Sequence, residues 1–150
     1  MATSRTIERT VGTARGPGGS PRRRLGVVMV VTLLVQALLG VANELFTTVP
    51  ESGDPFTGAV PQWLLVLHVL VGTAAVVLAV ALVVSAWRAS DRAWTGPATV
   101  GLMTVIGAWA SGHFFLETYG AEALSLSMAA FGLASVAVYV VGIVRSGGAS

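Results

Sequence analysis

The run QWLLVLHVLVGTAAVVLAVALVVSAW, residues 62–87, contains no Asp, Glu, Lys or Arg. A hydrocarbon core about 30 Å thick takes about 20 helical residues to cross, so an uncharged run of this length reads as a spanning helix. Working outward, residues 25–44, 97–117 and 123–144 are of the same kind, with charge only at their ends. In lipid, each of these segments must satisfy its own backbone N–H and C=O groups, which a helix does. The connections between neighbouring runs are short, which favours antiparallel neighbours. The expected fold is an all-α membrane protein, a four-transmembrane-helix bundle of up-down-up-down topology.

Composition agrees. Only 11% of the 150 residues are charged and 54% are hydrophobic, with a mean hydropathy of +0.78. About a quarter of a soluble domain is charged, so no separate soluble domain fits within this chain. Cysteine is absent, which excludes disulfides, thiolate metal sites, cysteine nucleophiles and covalent haem attachment through CxxCH. Every basic residue is Arg, and Ala, Val and Gly are abundant; that bias suggests a high-GC bacterial genome and hence the bacterial plasma membrane.

The sequence pI near 9.9 invites a nucleic-acid reading, which the distribution of charge removes. Six of the nine arginines lie in the first 24 positions, where they act as topology signals and contacts for anionic headgroups. Residues 1–21 are rich in Thr, Arg, Gly, Pro and Ser and are expected to form a disordered cytoplasmic tail. Residues 22–145 then form the transmembrane domain, and 146–150 a flexible C-terminus. With both termini cytoplasmic, all nine arginines fall inside, while Glu44, Glu51, Asp54, Glu117 and Glu122 fall outside, as the positive-inside rule requires. Trp63, Trp87 and Trp94 fall near the expected interfaces, as an aromatic belt would. Pro97 suits the first turn of the third helix, where its missing N–H leaves nothing unpaired. The basic residues before the first run, with small residues at Gly40 and Ala42, also fit a cleaved signal peptide. Against that stand the length of the apolar segment, the lack of an A-x-A site and a polar stripe that belongs in a bundle.

Polar and small residues mark the faces that helices turn toward each other in lipid. The first span carries Thr32, Gln36, Gly40 and Asn43 on one stripe. The second carries His68, Gly72, Ala75, Ala79 and Ala86, and the fourth Ser125, Met128, Gly132, Ser135, Tyr139 and Gly142. Gln36, Asn43, Ser125 and Tyr139 are thus expected polar members of the core. In the third span Gly101, Thr104, Ala108, Ser111 and Gly112 define a small face. At about 100° per residue, His113 lies away from it, beside Leu102, Ile106, Trp109 and Glu117, so its direction is left open.

The chain's two histidines, His68 and His113, fall at similar depth toward the acidic end. Three readings follow. Two neutral imidazoles on different helices can ligate a b-type haem, with Gly72 leaving room for the macrocycle. His113 and Glu117, four apart on a helix, can share a metal ion or proton, with His68, Glu44 or Asp54 completing the set. Alternatively, His68 glues helices by hydrogen bonding to Gln36, Asn43 or a backbone carbonyl, and His113 is an interfacial residue. There is no GxSxG, HExxH, P-loop or intramembrane aspartate pair to support a hydrolase.

The runs VQALLG (Val35 to Gly40) and LHVLVG (Leu67 to Gly72) resemble the helix signatures in one half of haem A synthase. That family is built from two four-helix halves that bind haem, so the resemblance implies haem b with His68 as a ligand. In the family the paired histidines of a half lie on its second and fourth helices, and a Glu-x-x-x-His arrangement accompanies them. Here the fourth span has no histidine and His68 lacks that glutamate, so His113 has no counterpart. The chain also resembles small four-helix integral membrane proteins of actinobacteria, a likeness that implies the fold and no activity. The leading expectation is a non-enzymatic membrane component that meets the lipid bilayer and works through another membrane protein or as a homo-oligomer. The haem protein is the alternative.

Overall fold

The computed structural model describes residues 20–48, 50, 53–58, 61–119 and 121–148; residues 1–19 of the proposed tail (1–21), and Glu51, lie outside them. The described residues form four long helices and one short one: α1 (Pro21–Phe46), α2 (Pro55–Gly58), α3 (Gln62–Arg88), α4 (Arg92–Glu117) and α5 (Glu122–Gly147). The four long ones are each long and apolar enough to cross a membrane. This is the expected all-α, four-span bundle.

The ends of these helices follow local chemistry. Ser20 caps α1, its hydroxyl accepting from the Arg23 N–H at 3.3 Å, and Pro21 occupies the first turn, where it needs no hydrogen-bond acceptor. The helix therefore includes Pro21, which the sequence assigned to the tail. In the following loop the Asp54 carboxylate accepts from the Phe56 N–H at 2.9 Å and starts the single turn α2. The Gln62 side-chain amide donates to the Phe56 carbonyl and fastens that turn to α3.

The link from α3 to α4 is tight. Ser90 has a φ of +50°. Around it the Asp91 N–H bonds the Ala86 carbonyl (3.1 Å) and the Ser90 N–H the Trp87 carbonyl (3.0 Å). This is the paired termination that usually employs glycine at the left-handed position. Asp91 then caps α4 by accepting from the Ala93 N–H at 3.1 Å, and its other oxygen takes Arg22 Nε at 2.6 Å. One carboxylate thus starts α4 and ties it to the beginning of α1. Because Asp91 supplies the cap, α4 begins at Arg92 and Pro97 sits inside it, which corrects the expected start at Pro97. Toward the other end of the chain α5 runs on through Gly147, so residues 146 and 147 belong to the helix.

The long helices form a ring in which α3 packs on α1 and α4, and α5 packs on α4 and α1. The inward faces of α3, α4 and α5 include members of the expected small and polar stripes, whereas on α1 Thr32, Gln36, Gly40 and Asn43 are only half-buried. The buried residues include Gly26, Met29 and Leu33 on α1, and Ala75, Ala79, Leu82 and Ala86 on α3. Ala98, Gly101, Val105 and Ser111 serve on α4, and Ser135, Tyr139 and Gly142 on α5. The outer surface is apolar instead: Leu126 and Leu133 are each 73% exposed, which only lipid tolerates over four helices. Several Ser and Thr hydroxyls along the spans bond carbonyls of their own helices, as in Thr32 to the Val28 carbonyl (2.9 Å) and Thr73 to that of Val69 (2.9 Å). Ser135 Oγ also lies 2.9 Å from Thr104 Oγ1 across the α4–α5 contact.

Trp94 corrects the expected aromatic belt. Trp63 and Trp87 are 66% and 61% exposed, but Trp94 is completely buried. Its ring enters the bundle at the arginine-bearing end and crosses the axis to Gly26 on α1. A Cβ added at Gly26 would lie 2.9 Å from Trp94 Cζ2, and one at Gly142 on α5 would lie 2.8 Å from Cζ3. Both are closer than carbon atoms approach without overlap, so the indole needs glycine at both places.

Candidate functional site

The polar residues of α1 and α3 meet near the end opposite the arginines. Gln36 Nε2 lies 3.1 Å from His68 Nε2. Each side chain rests on a glycine of the facing helix: a Cβ at Gly40 would be 3.3 Å from His68 Cε1, and one at Gly72 would be 2.9 Å from Gln36 Nε2. This reciprocal arrangement lets two helices approach closely while carrying a bulky polar group each. The space beside Gly72, which the sequence reserved for a macrocycle, is filled by the Gln36 amide. The imidazole is a suitable iron ligand, but the space beside it, as filled by Gln36, does not suit a haem macrocycle.

The pair is incompletely satisfied. If the Gln36 amide donates, His68 carries its proton on Nδ1, and among the described residues neither Nδ1 nor Gln36 Oε1 has a partner. With the amide turned over, Oε1 accepts from the His68 Nε2–H, and one polar atom of each side chain is again left over. Two turns along α1, Asn43 is fully engaged. Its Nδ2 donates to the carbonyls of Leu39 (2.9 Å) and Leu64 (3.4 Å), and its Oδ1 accepts from the Thr47 hydroxyl (3.0 Å). Gln36 and Asn43 are half-buried, and both connect α1 to α3.

Tyr139 is also in the core, fully buried. Its ring lies over Gly101 on α4, and its hydroxyl has no partner among the described residues. Ser125 is different. It is only partly buried and lines an open cleft of about 420 Å³ together with Glu44, Phe115, Glu122, Leu126 and Ala129. Ser125, expected in the core, is instead half-buried at this cleft, beside the exposed Glu44 and Glu122.

His113 answers the question left open by the sequence. It points outward: its side chain and that of Glu117 are 59% and 56% exposed, with His113 Nε2 3.2 Å from Glu117 Oε1. Its ring stacks parallel on Trp109, centroids 5.8 Å apart and planes 1° apart, and meets Phe114 edge-on at 6.2 Å. Trp109 is anchored in turn to α3, its Nε1–H directed at Thr73 Oγ1 at 3.4 Å. The two imidazoles therefore occupy different faces, His68 between α1 and α3 and His113 on the outer surface of α4. They are not placed as two axial ligands of one iron. Neither His68, Glu44 nor Asp54 joins His113 and Glu117, since no group of three or more potential ligands occurs among the described residues. The sequence did not give Trp109 the role of platform for His113; their spacing of four was the available signal.

Compared with protein-family models, curated proteins and solved structures, the chain matches none.

Proposed function

We propose that this four-span membrane protein is a non-enzymatic component of the bacterial plasma membrane, acting through contacts with other membrane proteins. The observation that supports this most is the way its interior is filled. Trp94, Tyr139, Met29 and Leu82 are among the largest side chains buried completely in the bundle, and glycines on facing helices receive Trp94, Tyr139, Gln36 and His68. Such a core resembles a packed rod, whereas small-molecule sites are concave and largely pre-formed. Its outer surface is where function is available.

Size and colour test this reading. Gently solubilised from native membranes, the protein is expected in an assembly larger than its own 15.4 kDa, and without a haem spectrum. A lone chain with a Soret band that disappears in His68→Ala overturns the reading in favour of a b-type cytochrome.

The orientation belongs to the same proposal, with the arginine-bearing end in the cytoplasm. Because the chain has no cysteine, single substitutions report position directly. Asp54→Cys and Thr118→Cys are expected to react with a membrane-impermeant maleimide on intact cells, and Ser146→Cys only after lysis. The reverse pattern refutes the orientation.

A further inference from the structure

We propose that His113 and Glu117 form half of a divalent-cation site, which a second copy of this chain completes across the outward face of α4. The inference rests on the partner reading above and names the partner.

The spacing of the donors suits an ion. Zinc bound by imidazole and carboxylate at about 2.0–2.2 Å in a tetrahedron separates its ligands by about 3.3 Å. His113 Nε2 and Glu117 Oε1 stand 3.2 Å apart. The imidazole is held in this attitude from behind by its stack on Trp109, which is fixed through Thr73 to the neighbouring helix. Imidazole with carboxylate selects borderline first-row divalent ions over magnesium and calcium, which prefer oxygen alone.

The position of the pair points to a second copy. It closes an otherwise apolar outward strip that includes Met103 and Ile106, 66% and 41% exposed. Ionisable groups on a face turned toward lipid are costly unless something covers them. One chain supplies two donors, and a stable tetrahedral site takes four. Copies inserted in the same direction carry the pair at the same depth. A two-fold axis along the membrane normal then sets His113 and Glu117 of one against the same two residues of the other, a self-complementary contact. Two carboxylates balance the doubly charged ion, so the completed site is neutral at the edge of the hydrocarbon.

The test uses the full chain in detergent micelles, stripped with EDTA and titrated with zinc chloride. Sedimentation gives the mass and elemental analysis the bound zinc. The expected result is a doubling of protein mass at one zinc per two chains, with no response to magnesium. His113→Ala and Glu117→Gln are each expected to abolish the doubling while keeping the helical circular dichroism of the parent, since both side chains are exposed. Zinc bound one per chain without a mass change overturns the proposal, as does no zinc binding. A dimer indifferent to EDTA and to both substitutions also overturns the metal site while leaving the partner reading intact. That reading fails separately, if crosslinking in native membranes finds only single chains.

Discussion

Replacing Trp94 with alanine is expected to lower the unfolding free energy of the bundle by about 3–5 kcal/mol, the largest effect expected of any single truncation among the described residues. The indole is fully buried and touches Gly26 and Gly142, so it joins α4 to both α1 and α5. No hydrogen bond is lost with it, because its Nε1 has no partner among the described residues. What disappears is contact. Water is not the competitor inside a bilayer, and helices associate there through van der Waals packing, so a cavity that the surrounding glycines cannot fill is felt directly. Reversible unfolding in mixed micelles measures the change. Trp63→Ala and Trp87→Ala serve as controls, since both rings are largely exposed, and each is expected within about 0.5 kcal/mol of the parent. Equal losses at all three positions would remove the role assigned to Trp94.

The second large effect is expected from Gly101→Ala. A Cβ there would lie 2.8 Å from Tyr139 Oη and as near to Cε1. The Tyr139 ring is completely enclosed, so it has no free space into which to turn, and α4 must move away from α5. Overpacking of this kind costs about 1–3 kcal/mol. The explanation carries its own check. Tyr139→Leu shortens the side chain opposite, so the double variant Gly101→Ala with Tyr139→Leu is expected to be more stable than the two single losses combined. Residues in contact commonly show couplings of about 0.5–3 kcal/mol. Strict additivity would mean that the two do not meet.

The bilayer made the architecture easy to read in the sequence. Residues 62–87 could hardly be anything but a span, and the stripe from His68 through Ala86 became the inner face of α3 because lipid permits small and polar residues no other economical place. For His68 the sequence left Gln36, Asn43 and a backbone carbonyl open as partners, and the structure pairs it with Gln36. The fate of Trp94 was not visible. Tryptophan near a helix end looks the same whether it faces headgroups or the axis, and the deciding glycines are 68 and 48 positions away, at Gly26 and Gly142. Pro97 misled for a local reason: the Asp91 cap, which also binds Arg22, starts α4 a full turn earlier than proline alone would suggest. The direction of His113 depended on which face of α4 the neighbouring helices cover, and a periodic pattern with two plausible faces does not determine that.

The packing of α5 against α1 has a consequence for how this molecule could be rebuilt. The beginning of α1 and the end of α5 lie at the same end of the ring on adjacent helices, so the order of synthesis leaves little mark on the finished object. Joining them by a short polar linker and opening the chain in the loop before α2 would give a circular permutant beginning on the opposite side of the membrane. Every interhelical contact described above would remain, while Arg22, Arg23 and Arg24, which lead the first span in the natural order, would be met last. In such a permutant the instructions for packing and the instructions for insertion, which coincide in the natural order, could be observed apart.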